Sequence, residues 1–293
     1  MWAVRTIQAR QAAHIVCGAA RERKHEVTVS ISIDDPVPNV RVLTIDRTAK
    51  RNAFDVVTYR RLRQAIQAAD DNAHVRVIVI TGGGGVFTSG NDLADFRDHP
   101  ESDEGIQLLR SLINTDKPVI AAVEGFAVGI GATMLLHCDL AYAGKATMFS
   151  LPFVKLGLSP EGASTVLLPA LAGSKLAAEL LLLGRSFGAP EAKRAGLINE
   201  IVDDGAALPM AVDTARALVE VPAQSLVVTK RLLRRNSGHL LQVIDEEAEE
   251  LVRLAKSPSA QAAIGRLLNG REKPSGAVQS NPTRSTIASA TVE

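Results

Sequence analysis

Val119-Ile120-Ala121-Ala122-Val123-Glu124-Gly125-Phe126-Ala127-Val128-Gly129-Ile130-Gly131-Ala132-Thr133-Met134 opens on five apolar residues, crosses three glycines and runs on into a second apolar stretch. A short, continuous apolar run rich in β-branched residues is the pattern of a buried strand, and a glycine loop followed by small apolar residues reads as a turn into a helix. The same order stands upstream, where Val75 to Ile80 precede Thr81 and four glycines, Gly82 to Gly85. Strand and helix alternate between about residues 40 and 200, with connections long enough for parallel crossovers. The spacing predicts an α/β fold.

Outward from these two units, Val27 to Ile33 and Val40 to Ile45 alternate apolar and polar residues and read as a hairpin around the turn signal Asp34-Asp35-Pro36-Val37-Pro38-Asn39. Asp55 can cap a helix whose apolar positions Val56, Tyr59, Leu62, Ile66 and Ala69 recur every three or four residues. From Gly205 to Asn269 the pattern is helical throughout. Leu240, Ile244, Glu247, Leu251 and Leu254 mark one face there, and Glu246, Glu249 and Glu250 the opposite, acidic one. The expected organisation is an extension over residues 1–26 without order, a core over 27–204, a helical region over 205–270 that packs on another subunit, and a disordered tail over 271–293, rich in Ser, Pro, Thr and Ala.

Lys and Arg number 33 against 32 Asp and Glu, a formal net charge of +1, so no whole-molecule field points to nucleic acid or an anionic membrane as partner. Apolar stretches such as Gly125 to Leu136 fall short of the roughly 20 residues of a membrane span. Cys17 and Cys138 form neither a disulfide framework nor a metal cluster, and the six histidines do not pair at metal spacings, so no metal site is expected. A small-molecule ligand and a reducing, cytoplasmic setting fit best. Arg5, Arg10, Arg21, Arg23 and Lys24 give residues 1–24 a loose likeness to a transit peptide, which would place the protein in an organelle matrix instead. Thr291-Val292-Glu293 is not a peroxisomal address.

Glycine loops between strands and helices suggest phosphate cradles. Neither Gly82 to Phe87 nor Gly129 to Met134 completes GxGxxG, and no Gly-Lys-Ser/Thr follows, so a nucleotide site is a weak alternative. Two such loops can instead aim two backbone N–H groups at one carbonyl oxygen, an oxyanion hole. Tight packing of a helix on a sheet explains Gly129 and Gly131 equally well, and spacing alone does not choose between the two readings.

Several motifs in sequence order carry a resemblance over about residues 27 to 270. They are Lys50-Arg51-Asn52-Ala53-Phe54, Phe87-Thr88-Ser89-Gly90-Asn91-Asp92-Leu93, Lys117 to Val123 continuing through Gly129-Ile130-Gly131 to Cys138-Asp139, and Gly184-Arg185 with Ala192 to Val202. Together they resemble the enoyl-CoA hydratase/isomerase (crotonase) family. The resemblance implies a spiral of ββα repeats with a helical C-terminal region that forms trimers or dimers of trimers. It implies an acyl-CoA thioester as substrate, with coenzyme A part of that substrate and no separate cofactor. It also places the two oxyanion donors at the backbone N–H of Asn91 and Ile130, and the substrate contacts at Lys50, Ala53, Ser89, Gly90, Asp92, Leu93, Gly129 and Phe153.

Which reaction follows depends on the carboxylates around the hole. Family hydratases carry two, at positions that read Thr133 and Phe153 here, so the chain departs from the hydratase pattern at both. Leu151 to Thr165, with Ser159-Pro160-Glu161-Gly162, resembles instead the segment of peroxisomal-type delta-3,delta-2-enoyl-CoA isomerases that bears their single catalytic Glu. By that resemblance Glu161 is the acid/base that moves a 3-enoyl double bond into conjugation. Ser159 can cap and Pro160 open a helix, which would put Glu161 in its first turn, where a helix dipole lowers and apolar neighbours raise its pKa. A first-turn acid without a catalytic role is the plain alternative. Glu124 and Asp139 read as capping or loop carboxylates, Asp92 as the cap of the turn presenting Asn91, and Lys50, Arg51 and Lys117 as solvated charges. Phe87, Leu93 and Phe96 are expected to shape the acyl pocket. Hydratase-like enolate chemistry and a non-catalytic acyl-CoA-binding protein are the competing functions.

Overall fold

The computed structural model describes residues 30–235 and 237–270. The expectations for residues 1–26, for a transit peptide over 1–24, for Val27 to Val29 as the start of the first strand and for the 271–293 tail lie outside the described residues.

The first hairpin pairs β1 (Ile31–Val37) with β2 (Val40–Ile45) in antiparallel register, Ile31 opposite Ile45. It corrects the expected turn. Asp34-Asp35-Pro36-Val37 belongs to the strand, and only Pro38-Asn39 makes the reversal, Asn39 at φ 65°. The register shifts between Asp34 and Val37, and β1 is an edge strand, where a bulge and a proline cost no ladder bond. Asp35 pairs with Arg41 at 2.8 Å across the hairpin.

After β2 come α1 (Val56–Asp71), β3 (Val77–Gly82), α2 (Leu93–Asp98), α3 (Glu104–Asn114), β4 (Val119–Val123), β5 (Phe126–Val128), α4 (Ile130–Thr133), β6 (Leu140–Gly144), β7 (Met148–Ser150), α5 (Ser164–Ala172), α6 (Ser174–Leu183), β8 (Ser186–Gly188), α7 (Ala189–Arg194) and β9 (Glu200–Val202). Four further helices follow, α8 (Ala207–Glu220), α9 (Ala223–Leu233), α10 (Ser237–Ala255) and α11 (Pro258–Leu268). The six-stranded sheet runs β1-β2-β3-β4-β6-β9, parallel from β2 onward, and a three-stranded sheet runs β5-β7-β8. β4 and β6 each lie in the large sheet while the strands directly after them, β5 and β7, lie in the small one. These two units, β4-β5-α4 and β6-β7-α5, thus give one strand to each sheet before their helix, which is how the chain spirals there.

Alternate residues of the parallel strands face opposite layers. Leu43, Ile45, Ile78, Ile80, Val119 and Ala121 pack with Leu62 and Ile66 of α1 and Leu108 and Leu112 of α3. Val42, Val77, Val79, Ile120 and Ala122 pack instead under α8, whose Ala207, Ala211 and Ala215 present small side chains every four residues. Both faces are covered, hence the unbroken apolar runs of β3 and β4. Asp55 caps α1 by accepting from Thr58 N at 2.8 Å. Lys117 is not a free solvated charge, since its ammonium donates to Ala69 O and Asn72 O at 2.7 and 2.6 Å at the end of α1.

Candidate active site

Two loops meet because β5 runs beside the end of the first glycine loop. Thr88 N donates to Phe126 O at 2.9 Å and Val128 N to Thr88 O at 3.2 Å. The Thr88 hydroxyl donates to Asn52 O at 2.7 Å and accepts from Gly90 N at 3.0 Å. Asn52, in the left-handed region at φ 56°, accepts from Arg47 N and donates to Gly83 O and Val86 O. The Lys50 to Phe54 motif therefore acts through an amide that stitches the glycine loop to the strand before it.

Gly90 is at φ +83°, and a Cβ there would meet Val128 O at 2.5 Å. No other residue type fits. Phe54 N donates to Gly90 O at 2.8 Å and Asp92 N to Phe54 O at 2.7 Å. Because alternate residues of an extended segment turn their polar groups to opposite edges, bonding on both sides of Asn91 points its own N–H away from Phe54. In the second loop Gly129 takes φ +55°, and a Cβ on Gly131 would lie 2.4 Å from Thr88 Cγ2. Gly131 thus serves packing of loop on loop, while Gly129 turns the chain into α4. Among the described residues no acceptor takes the N–H of Asn91 or of Ile130.

Both residues line a cavity of ≈ 620 Å³ together with Ser89, Gly90, Leu93, Gly129, Phe153 and Glu161. Phe96, Lys155, Leu251 of α10 and Leu267 of α11 are also on its wall. Lys50, Ala53 and Asp92 are not among the lining residues. Lys50 is exposed, Ala53 is buried with its carbonyl accepting from Arg47, and the Asp92 carboxylate accepts from Arg47 at 2.8 Å and from Ala94 N, capping α2. Phe87 is fully buried in the core and stands outside the cavity as well. A smaller chamber of ≈ 50 Å³ shares Asn91, Ile130 and Glu161 and adds Tyr59 and Asp95.

Glu161 is not in the first turn of a helix. Gly162 and Ala163 are both left-handed, at φ 73° and 54°, and delay α5 to Ser164. Ser159 accordingly caps nothing, and its buried hydroxyl has no hydrogen-bond partner. The first-turn dipole argument drops out, and burial decides. The Glu161 side chain is only 4 % exposed. Burial raises its pKa to about 8, against a lowering by the Thr133 hydroxyl, with the Glu247 carboxylate adding to the rise. Thr133 Oγ1 donates to Glu161 Oε1, while Oε2 is buried without a partner.

Sequence reasoning missed how these residues are held. Tyr59, a core position of α1 by spacing, donates its hydroxyl to Asn91 Oδ1, and burial holds that phenol well above its usual pKa and so protonated. His137 contributes a 2.8 Å contact between Nε2 and Gly162 O, and burial lowers its pKa to about 4, leaving it neutral. A lone Tyr or His in an apolar stripe carries no signal that its polar tip reaches a loop. Glu124 accepts from Gly205 N and Ala207 N ahead of α8. Asp139 accepts from Val119 N, Lys230 and Arg234. Among the described residues no group of His, Cys, Asp and Glu could hold a metal ion, and no helix is long and apolar enough to cross a membrane.

Comparison with known proteins places this geometry in a family. The model of the enoyl-CoA hydratase/isomerase family matches residues 37–272. Enoyl-CoA delta isomerase 2 of Rattus norvegicus is 33% identical over 214 residues, 70% of this chain and 54% of that protein, so the chain spans about half that relative's length. The 2,3-dehydroadipyl-CoA hydratase of Escherichia coli is 31% identical over 237 residues, 79% of this chain and 93% of its own. Among solved structures, Pseudomonas aeruginosa OdaA superposes with a TM-score of 0.80 at 38% identity, covering 82% of this chain and 99% of that one. Spiral fold, matched family model and relatives agree, and the chain belongs to the enoyl-CoA hydratase/isomerase (crotonase) family.

Proposed function

We propose that the protein is an acyl-CoA isomerase that shifts the double bond of a 3-enoyl-CoA to give trans-2-enoyl-CoA, with Glu161 as its single acid/base. The observation that carries this reading is the state of one side chain. Among the described residues lining the large cavity, Glu161 is the only carboxylate; it shares that wall with Asn91 and Ile130, and its Oε2 is buried without a partner.

In this reading ionised Glu161 removes a proton from C2 of the substrate. The C–H electrons move toward the thioester, whose oxygen gains negative charge and accepts from the N–H of Asn91 and Ile130. The protonated carboxyl then returns that proton at C4, the former C3–C4 double bond becomes C2–C3, and the carboxylate is regenerated. Each amide aimed at the developing charge is worth about 3 kcal/mol in the transition state. A carboxylate with a pKa of about 8 is a stronger base than one in water, which suits a weakly acidic carbon. The step needs no second carboxylate and no cofactor beyond the coenzyme A of the substrate. Ser89, Gly90, Leu93, Gly129 and Phe153 are the proposed substrate contacts, from their place on the cavity wall. The carried-over roles of Lys50, Ala53 and Asp92 lack that support.

Incubation with a 3-enoyl-CoA, following the conjugated thioester, tests the assignment. Wild type is expected to form it, and Glu161→Gln to lose at least 100-fold in kcat. Equal rates would sink the reading. Several relatives are named hydratases, so water addition to a 2-enoyl-CoA belongs in the same assay, with hydration expected to be the minor reaction. Binding of CoA esters without turnover would mark an acyl-CoA-binding protein instead. Self-association through exposed Leu182 and Leu183 of α6 and Leu232 and Leu233 of α9 belongs to the same proposal, with a trimer or dimer of trimers as the mass expected in light scattering.

A further inference from the structure

The loop that carries Glu161 is held from an unexpected direction. Glu247, on α10 of the helical region, is 8 % exposed, and its stem lies on the apolar side of the helix. Its Oε2 accepts from Ala163 N at 2.6 Å, and its Oε1 from Thr165 N at 3.1 Å and the Thr165 hydroxyl at 2.5 Å. All three donors lie within four residues of Glu161. Ala163, at the N-terminus of α5, makes no side-chain cap of its own, and as a non-glycine residue at φ 54° it carries a conformational cost that surrounding contacts must offset. A buried carboxylate that meets three donors is the strongest such contact available.

We propose that Glu247 is a positioning residue for Glu161: from the helical region it clamps the Ala163 to Thr165 backbone and so fixes the loop that holds Glu161 at the cavity wall. This rests on the reading of Glu161 as the acid/base. The clamp works with two others, the Thr133 hydroxyl on the carboxylate and His137 on Gly162 O. Among these neighbours His137 is neutral and the phenol of Tyr59 protonated, while Asp95 of α2 and His99 just after it meet each other at 3.4 Å at the small chamber. Glu247 is the charge that bears on Glu161 and opposes its ionisation. The helical region would therefore contribute to catalysis as well as to packing.

The test compares Glu247→Gln, Glu247→Ala and Thr165→Val with wild type in the full chain, on 3-enoyl-CoA, with folding checked by circular dichroism. Gln keeps the size but offers one acceptor where two are used. Its kcat is expected to fall about 10-fold with KM within twofold, and Ala to lose more. Because Gln removes a negative charge near Glu161, the ascending limb of the kcat profile should also move to lower pH. Thr165→Val, which removes a single donor, is expected to lower kcat about threefold. A merely structural contact would lower Tm while leaving kcat and that limb in place, and that result in the folded variants overturns the proposal. Glu161→Gln is the control that separates the failures. If it is inactive while the three variants match wild type, the clamp alone is wrong, whereas full activity in Glu161→Gln removes the reading beneath it as well.

Discussion

Thr133 Oγ1 donates to Glu161 Oε1. The position that, by the family resemblance, would carry a hydratase carboxylate thus bonds the carboxylate proposed as acid/base. Its bond favours the ionised carboxylate against the larger effect of burial.

Thr133→Val keeps the volume and removes the donor. Glu161 then loses its one opposing influence, so its pKa should rise further and the ascending limb of kcat/KM should move to higher pH. At pH 7 the loss is expected to be on the order of 10-fold. A profile identical to wild type would mean that the bond has no part in setting the ionisation of Glu161.

Glu161 also links stability to pH. Its folded pKa of about 8 lies above the ordinary glutamate value of 4.5, so between these the folded state binds more protons than the unfolded chain, and stability falls as pH rises through that window. Glu161→Gln removes the cost, and is expected to raise Tm at pH 8.5 while leaving it near wild type at pH 4.5. Urea or thermal unfolding at the two pH values measures the difference. Equal Tm at pH 8.5 would show that the side chain ionises without penalty.

Gly90→Ala forces a Cβ toward Val128 O, 2.5 Å away, at a φ of +83°. Backbone cannot give way there without moving Asn91. The expected result is a 100-fold or greater loss of kcat/KM and a stability cost of about 1–3 kcal/mol. Isomerisation kinetics with chemical denaturation of the same variant would show it, and wild-type kinetics would exclude the Asn91 amide from the hole.

Asp139→Ala leaves Lys230 with a buried ammonium that has lost its carboxylate, only 6 % of that side chain being exposed. Breaking such a pair costs about 3–5 kcal/mol, and Arg234 and Val119 N lose an acceptor as well. Denaturant unfolding should register a loss of that size, and a change below about 1 kcal/mol would show that α9 docks on the sheet by other means.

Local chemistry made much of the architecture legible. Apolar runs of the right length announced β3 and β4, Asp55 announced the start of α1, and the glycines at 90 and 129 sit where positive φ is required. Each of these follows from what a few adjacent residues can do. Strand β5, hidden in the loop of Phe126 to Val128, has no pattern long enough to read, since three residues become a strand only when Met148 to Ser150 arrive to pair with them. Pro38-Asn39 took the turn from a longer polar run because an edge strand tolerates charge and proline.

By itself the sequence determined that position 161 holds a carboxylate while 133 and 153 do not, which is what made Glu161 the candidate for proton transfer. Only the tertiary structure decided how that side chain behaves. Two left-handed residues kept it out of the helix, burial raised its pKa to about 8, Thr133 of α4 bonds it, and Glu247 of α10 bonds the loop that follows it. Glu247 reaches that loop from more than 80 residues away, and Tyr59 reaches Asn91 across 32. Solvation and contact depend on which segments the fold brings together, and no local pattern encodes that.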